Sequence, residues 1–124
     1  LLSLLYPNLK YSQKGFHQDH MHPYTGFEEG KIKDLVLPDG TVIDDDTKEN
    51  WRRRRNTLAN LHLLEGRENE SKNATPLVDW LKVTENSENA KYLPGCISYE
   101  LSNFEEFMEK RQELMSKALK DILL

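Results

Sequence analysis

Phe16-His17-Gln18-Asp19-His20-Met21-His22-Pro23 is a short run closed by a proline, and it reads as a strand with its exit. Alternate side chains of a strand share a face, so His20 and His22 are expected on one side and His17 and Asp19 on the other. A histidine beside a proline-ended strand is more often structural or merely exposed than functional. The weight shifts when two later stretches are read with it. Asn60-Leu61-His62-Leu63-Leu64 reads as a second short strand stopped by Gly66. Glu68-Asn69-Glu70-Ser71-Lys72 follows on a short helix expected from about Arg67.

Working outward, the stretch from Tyr24 to about Asp46 is rich in glycine, proline and charge. Within it, Leu35-Val36 and Val42-Ile43 flank Pro38-Asp39-Gly40, which predicts a small hairpin. A helix is expected from Asp46 or Thr47, either of which can cap it, carrying Trp51 and the block Arg52 to Arg55. Thr75-Pro76 reads as the cap and first residue of another helix, with Leu77, Trp80 and Leu81 at helical spacing. Ser102 and Glu105 form a capping-box pattern. Beyond them Phe104, Phe107, Met108, Arg111, Leu114 and Met115 follow the three-and-four spacing of an amphipathic helix. Packing on the domain core is favoured for this stripe over a partner-binding or membrane-surface role.

The totals fit one soluble domain of 124 residues, 37% hydrophobic and 31% charged. The chain opens on Leu1 and is expected to be a C-terminal piece of a longer protein. Leu1 to Leu5 is too short to cross a bilayer, lacks the marks of a signal peptide, and reads as the tail of a helix. A single cysteine, Cys96, excludes an internal disulfide and fits a reducing, cytoplasmic compartment. The net charge of −4 argues against coating nucleic acid by bulk electrostatics, although a local basic block can still contact phosphates. Four consecutive helical residues point all around the axis, so Arg52 to Arg55 divide between phosphate contact and ordinary pairing with Asp44 to Asp46.

Hydrolysis of a phosphodiester needs an activated water, positive charge on the phosphate oxygens, and positioning. Histidine suits the first task because its pKa lies near neutrality. Asp19 and Asn69 offer hard oxygen donors of the kind Mg²⁺ or Mn²⁺ prefers. Asn60 is placed to fix an imidazole while leaving its other nitrogen to take a proton.

Asp-His-x-x-Pro, then Asn-Leu-x-Leu-Leu, then Asn-x-x-Lys resembles the HNH signature of the His-Me finger nucleases. With Leu-Leu-Tyr-Pro near the start and Phe-Glu-Glu-Phe-Met-Glu-Lys-Arg near the end, the chain is similar over nearly its whole length to the C-terminal nuclease domain of GmrSD-type, modification-dependent restriction proteins. The resemblance implies an α+β fold with a ββα-metal core over about residues 16–74 and further helices, the last long and amphipathic over about residues 103–124. It implies an endonuclease that acts on foreign, modified DNA and holds one divalent cation, Mg²⁺ or alternatively Mn²⁺. It also implies an upstream nucleotide-hydrolysing domain as partner and no membrane. His20 would be the general base, oriented by Asn60 from the second strand. Asp19 and Asn69 would be the metal ligands. Lys72 would face the substrate phosphates. The resemblance assigns no role to His17 or His22, which are candidates to stand behind the ligands, His17 alternatively beside Asp19 at the metal. The basic block, read from its charge, offers Arg52 and Arg55 as further substrate contacts. Asn69 departs from the many members with histidine there, and the stretch before Asn60 is longer than in compact members.

Two other readings stand beside this one. A non-catalytic module would keep the fold and hold nucleic acid through its basic helix. A structural zinc site would use the histidines, but such sites take four ligands, often cysteines, and only Cys96 is present.

Overall fold

The computed structural model describes residues 5–6, 16–65 and 74–123. Strand β1 (Phe16–His20) pairs antiparallel with β2 (Leu61–Glu65), so two segments some forty residues apart form one two-stranded sheet. Asp19 lies opposite His62 and His20 opposite Leu61. The sequence expectation of two short strands holds, with β2 running one residue past Leu64. The strand ends at His20, before His22, so the alternation expected of the two histidines does not extend that far.

After β1 the chain makes a 3-10 turn (Tyr24–Phe27) and the single-turn helix α1 (Glu29–Ile32). The expected hairpin is reduced to one bridge, Val36 to Val42. The Asp39 carboxylate accepts from the Thr41 N–H at 2.9 Å and the Thr41 hydroxyl at 2.6 Å. Gly40 supplies the left-handed φ of +86° that this turn requires. Helix α2 (Asp45–Arg54) starts ahead of its expected position. Asp44, the first of the three aspartates, is the cap and accepts from the Thr47 N–H at 2.7 Å.

Helix α3 (Leu77–Trp80) begins just after Pro76, which is the cap residue and not the first helical one. Helix α4 (Thr84–Asn89) follows. The long helix α5 (Phe104–Leu123) is entered directly from a 3-10 turn (Leu101–Asn103). Ser102 therefore lies inside that turn, and Asn103 tethers it instead, donating to the Ser98 carbonyl at 3.0 Å.

The first half of α5 holds the molecule together. Its Phe104 and Phe107 are fully buried and close a cluster with Phe27, Trp51 and Trp80. Full burial of each such ring stabilises by about 1.5–3 kcal/mol. Met115, a further two turns along, joins Leu5, Tyr6 and Leu61 in a second cluster. The far end leaves Ile122 and Leu123 exposed. No helix among the described residues is long and apolar enough to cross a membrane.

Candidate functional site

The site forms where β1 ends against the start of β2. Asp19 and His20 are successive strand residues, so their side chains leave on opposite faces of the sheet. Each finds its own partner. The Asp19 carboxylate meets His62 Nε2 at 3.0 Å, across the register that sets them opposite one another. An ionised carboxylate can only accept, so His62 Nε2 carries the proton. The His62 side chain is 2% exposed and packs edge-on against Trp80, with 5.6 Å between ring centroids. Asp19 thus has one oxygen oriented by a buried imidazole.

His20 is half-buried on the other face. Its Nε2 lies 2.9 Å from Asn56 Oδ1, just beyond the end of α2. Its ring stands edge-on to Tyr24 at 5.6 Å. Tyr24 is held in turn by Arg55, whose guanidinium lies 3.5 Å from the ring centroid and donates to the Tyr24 carbonyl at 3.3 Å.

Asn60 is fully buried at the end of a 3-10 turn (Leu58–Asn60), immediately ahead of β2 and not within it. Its Oδ1 accepts from the His22 N–H at 2.9 Å. Its Nδ2 donates to the carbonyls of His22 and Arg55, each at 3.0 Å. Both amide protons are therefore committed to backbone, and the expectation that Asn60 orients the His20 imidazole is corrected. The amide ties the exit of β1 to the loop before β2, reinforced by the Met21 N–H donating to the Asn60 carbonyl at 2.7 Å.

His22 is a core residue, 2% exposed and edge-on to Phe104 and Phe107 at 5.6 and 4.6 Å. The chain turns inward after His20, which seats His22 among these aromatic rings. His17 lies in β1, and its side chain is outside the described part. Asn69 and Lys72 lie outside the described residues altogether.

The arginine block divides as helical geometry requires. Arg52 donates from Nε to the Phe27 carbonyl at 2.9 Å and pairs with Glu29 at 3.2 Å. Arg52 and Arg55, three apart, share the face of α2 that packs on the turn after β1. Both remain partly exposed beside these internal contacts, and the exposed member of the block is Arg53. The partner of the block is Glu29, not the aspartates upstream. Glu29 also takes Lys48 at 2.9 Å, and these two cations, Lys48 foremost, hold its carboxyl below the usual carboxylate value.

Arg111 was expected only as part of the α5 stripe. It is fully buried and donates to the carbonyls of Ala59 and Leu61 at 2.9 and 2.7 Å and to the Tyr6 hydroxyl at 3.1 Å. Burial draws its pKa down from the ordinary arginine value, while the Tyr6 hydroxyl opposes that fall. Its cation closes the turn that carries Asn60. An arginine at an apolar stripe position is a sequence signal for such a buried cation. The partnership of Asp19 with His62 follows once the strand register is known. Nothing in the sequence marks Asn56.

Asp19 fits a hard divalent cation by its donor chemistry and by the imidazole that braces it. Among the described residues, no group of three or more His, Cys, Asp or Glu is arranged to hold a metal ion. Among the described residues, His20 lies at Asn56, His22 in the core and His62 at Asp19. No family model matches the chain, and no curated protein matches it.

Proposed function

We propose that this chain is an HNH-type, metal-dependent endonuclease domain with a ββα-metal core, hydrolysing phosphodiester bonds in foreign, modified DNA. The reading is supported by the ordered motifs together with one observation. The Asp19-His20 end of β1 pairs with the Leu61-His62 start of β2, giving a braced carboxylate and a half-buried, hydrogen-bonded imidazole at successive positions.

A divalent cation, when bound, would be held by Asp19 and Asn69 and supply positive charge to the phosphate oxygens. His20 takes a proton from the attacking water as that oxygen bonds to phosphorus. The bond from phosphorus to the leaving oxygen breaks, and that oxygen takes a proton from solvent. His62 keeps the Asp19 carboxylate oriented, and Asn60 keeps the segment after His20 against the turn before β2. The binding-module alternative relied on the basic helix, whose Arg52 and Arg55 are engaged within the chain.

Nicking of supercoiled DNA by the full-length protein tests the proposal. Chelator should stop it and added Mg²⁺ or Mn²⁺ should restore it, while Asp19→Ala should lose the restored activity by about 100-fold or more. Binding without cleavage under every metal, weakened by salt, would establish the non-catalytic module instead.

A further inference from the structure

We propose that Arg53 holds the DNA strand beside His20: its guanidinium binds the phosphate next to the one that is cut, and the groove along the end of α2 is the strand's track. This rests on the nuclease reading. It extends that reading to which member of the arginine block meets the substrate and on which side of His20 the strand leaves.

Placement comes first. Arg53 and Asn56 are three apart across the end of α2, so their side chains are neighbours, with roughly 5–6 Å between Cβ atoms. Both are exposed, and both line one open groove of about 560 Å³. Asn56 Oδ1 lies 2.9 Å from His20 Nε2, so the groove runs up to the histidine. An arginine one helical turn from Asn56 is in range of the neighbouring phosphate of a strand cut at His20, and not of the scissile one.

Charge then separates Arg53 from the other cations of α2. Lys48 pairs with Glu29 at 2.9 Å and Asp45 at 3.5 Å, and Arg52 pairs with Glu29 at 3.2 Å. Arg54 lies over the Phe104 ring at 6.0 Å, and Arg55 over that of Tyr24 at 3.5 Å. Arg53 makes no ion pair or hydrogen bond with the described residues, although Glu49 stands four residues before it, at the spacing of helical ion pairs. Its planar fork of donors is left to solvent, and that fork takes a phosphate through two parallel hydrogen bonds. Glu49 lines the same groove and repels phosphate, which confines the contact to the last turn of the helix.

Binding of a duplex oligonucleotide to the full-length protein, followed by fluorescence anisotropy in chelator across a salt series, reads the contact without cleavage. Arg53→Gln should weaken binding by about 5-fold at low salt. It should also reduce the slope of log K against log salt by about 1, the share of one phosphate. Arg53→Lys keeps the charge and should keep the wild-type slope. Lys110→Gln, at an exposed position of α5, should bind as wild type does. Arg53 is exposed, so its variants should unfold at nearly the wild-type temperature. A wild-type slope in Arg53→Gln, a slope in Arg53→Lys no better than that of Arg53→Gln, or an equal loss in Lys110→Gln overturns the contact. So does a wild type that does not bind the duplex.

With Mg²⁺ restored, Arg53→Gln should raise KM and leave kcat little changed, because its phosphate is held equally before and during cleavage. Cleavage by Arg53→Gln with a wild-type KM would overturn the contact and leave the nuclease reading standing. A wild type that cuts under no metal, with the expected binding slopes, would contradict the nuclease reading and leave Arg53 as a phosphate contact.

Discussion

Asn60 shows how one side chain can decide the shape of a site without touching the reacting groups. Its amide closes three hydrogen bonds to backbone groups with 0% of the residue exposed. Removing it would strand the His22 N–H and two carbonyls away from water. Asn60→Ala should therefore destabilise the fold by about 2–4 kcal/mol in urea unfolding. A loss below about 0.5 kcal/mol would mean that the amide is dispensable. That Asn60 mattered could be read from its place in the motif. Its task could not, because an amide serves an imidazole or a backbone equally well until the chain closes around it. His20 and His22 make the same point. Only Met21 separates them, but a strand that stops at His20 leaves one half-buried beside Asn56 and sends the other among phenylalanines.

Among the elements, α2 is the one that links cap, charge and site. Arg52, and Arg55 at its end, are held inward by Glu29, Phe27 and Tyr24, and Asn56 follows just beyond its last residue. The Glu29 carboxyl is held below the ordinary glutamate value, first through its hydrogen bond from Lys48 and then through that from Arg52. A carboxyl depressed in the folded state stabilises it above the unfolded value and loses that contribution as pH falls through the folded one. Glu29→Gln should accordingly lower the thermal midpoint near about pH 7 and flatten its decline toward about pH 3. Identical declines in both proteins would show that the contact adds nothing.

Strands and long helix were legible because proline, alternation and the three-and-four spacing act locally. The boundaries were not. Asp44 outcompeted Asp46 for the cap by one choice among three aspartates, and the turn before α5 displaced the Ser102 box. The direction taken by Arg52 and Arg55 depended on Glu29 and Tyr24, far away in sequence.

For the molecule as a whole, a sheet of two strands cannot stand alone in water. Helix α5 supplies what it lacks, through Phe104 and Phe107 on one cluster and Arg111 and Met115 on the turn before β2 and its apolar neighbours. Phe107→Ala should cost about 3–5 kcal/mol and loosen the site with the core, since its ring lies against His22. Retained amide exchange protection in β1 and β2 of that variant would show that the sheet is independent of the helix.

The chemistry proposed for this scaffold rests on one imidazole. DNA cleavage by the full-length protein with Mg²⁺, wild type against His20→Ala, measures its contribution. The expected result is a loss of about 100-fold or more with unchanged thermal unfolding, in keeping with removal of a general base. A His20→Ala protein that cuts DNA as fast as wild type would contradict the account.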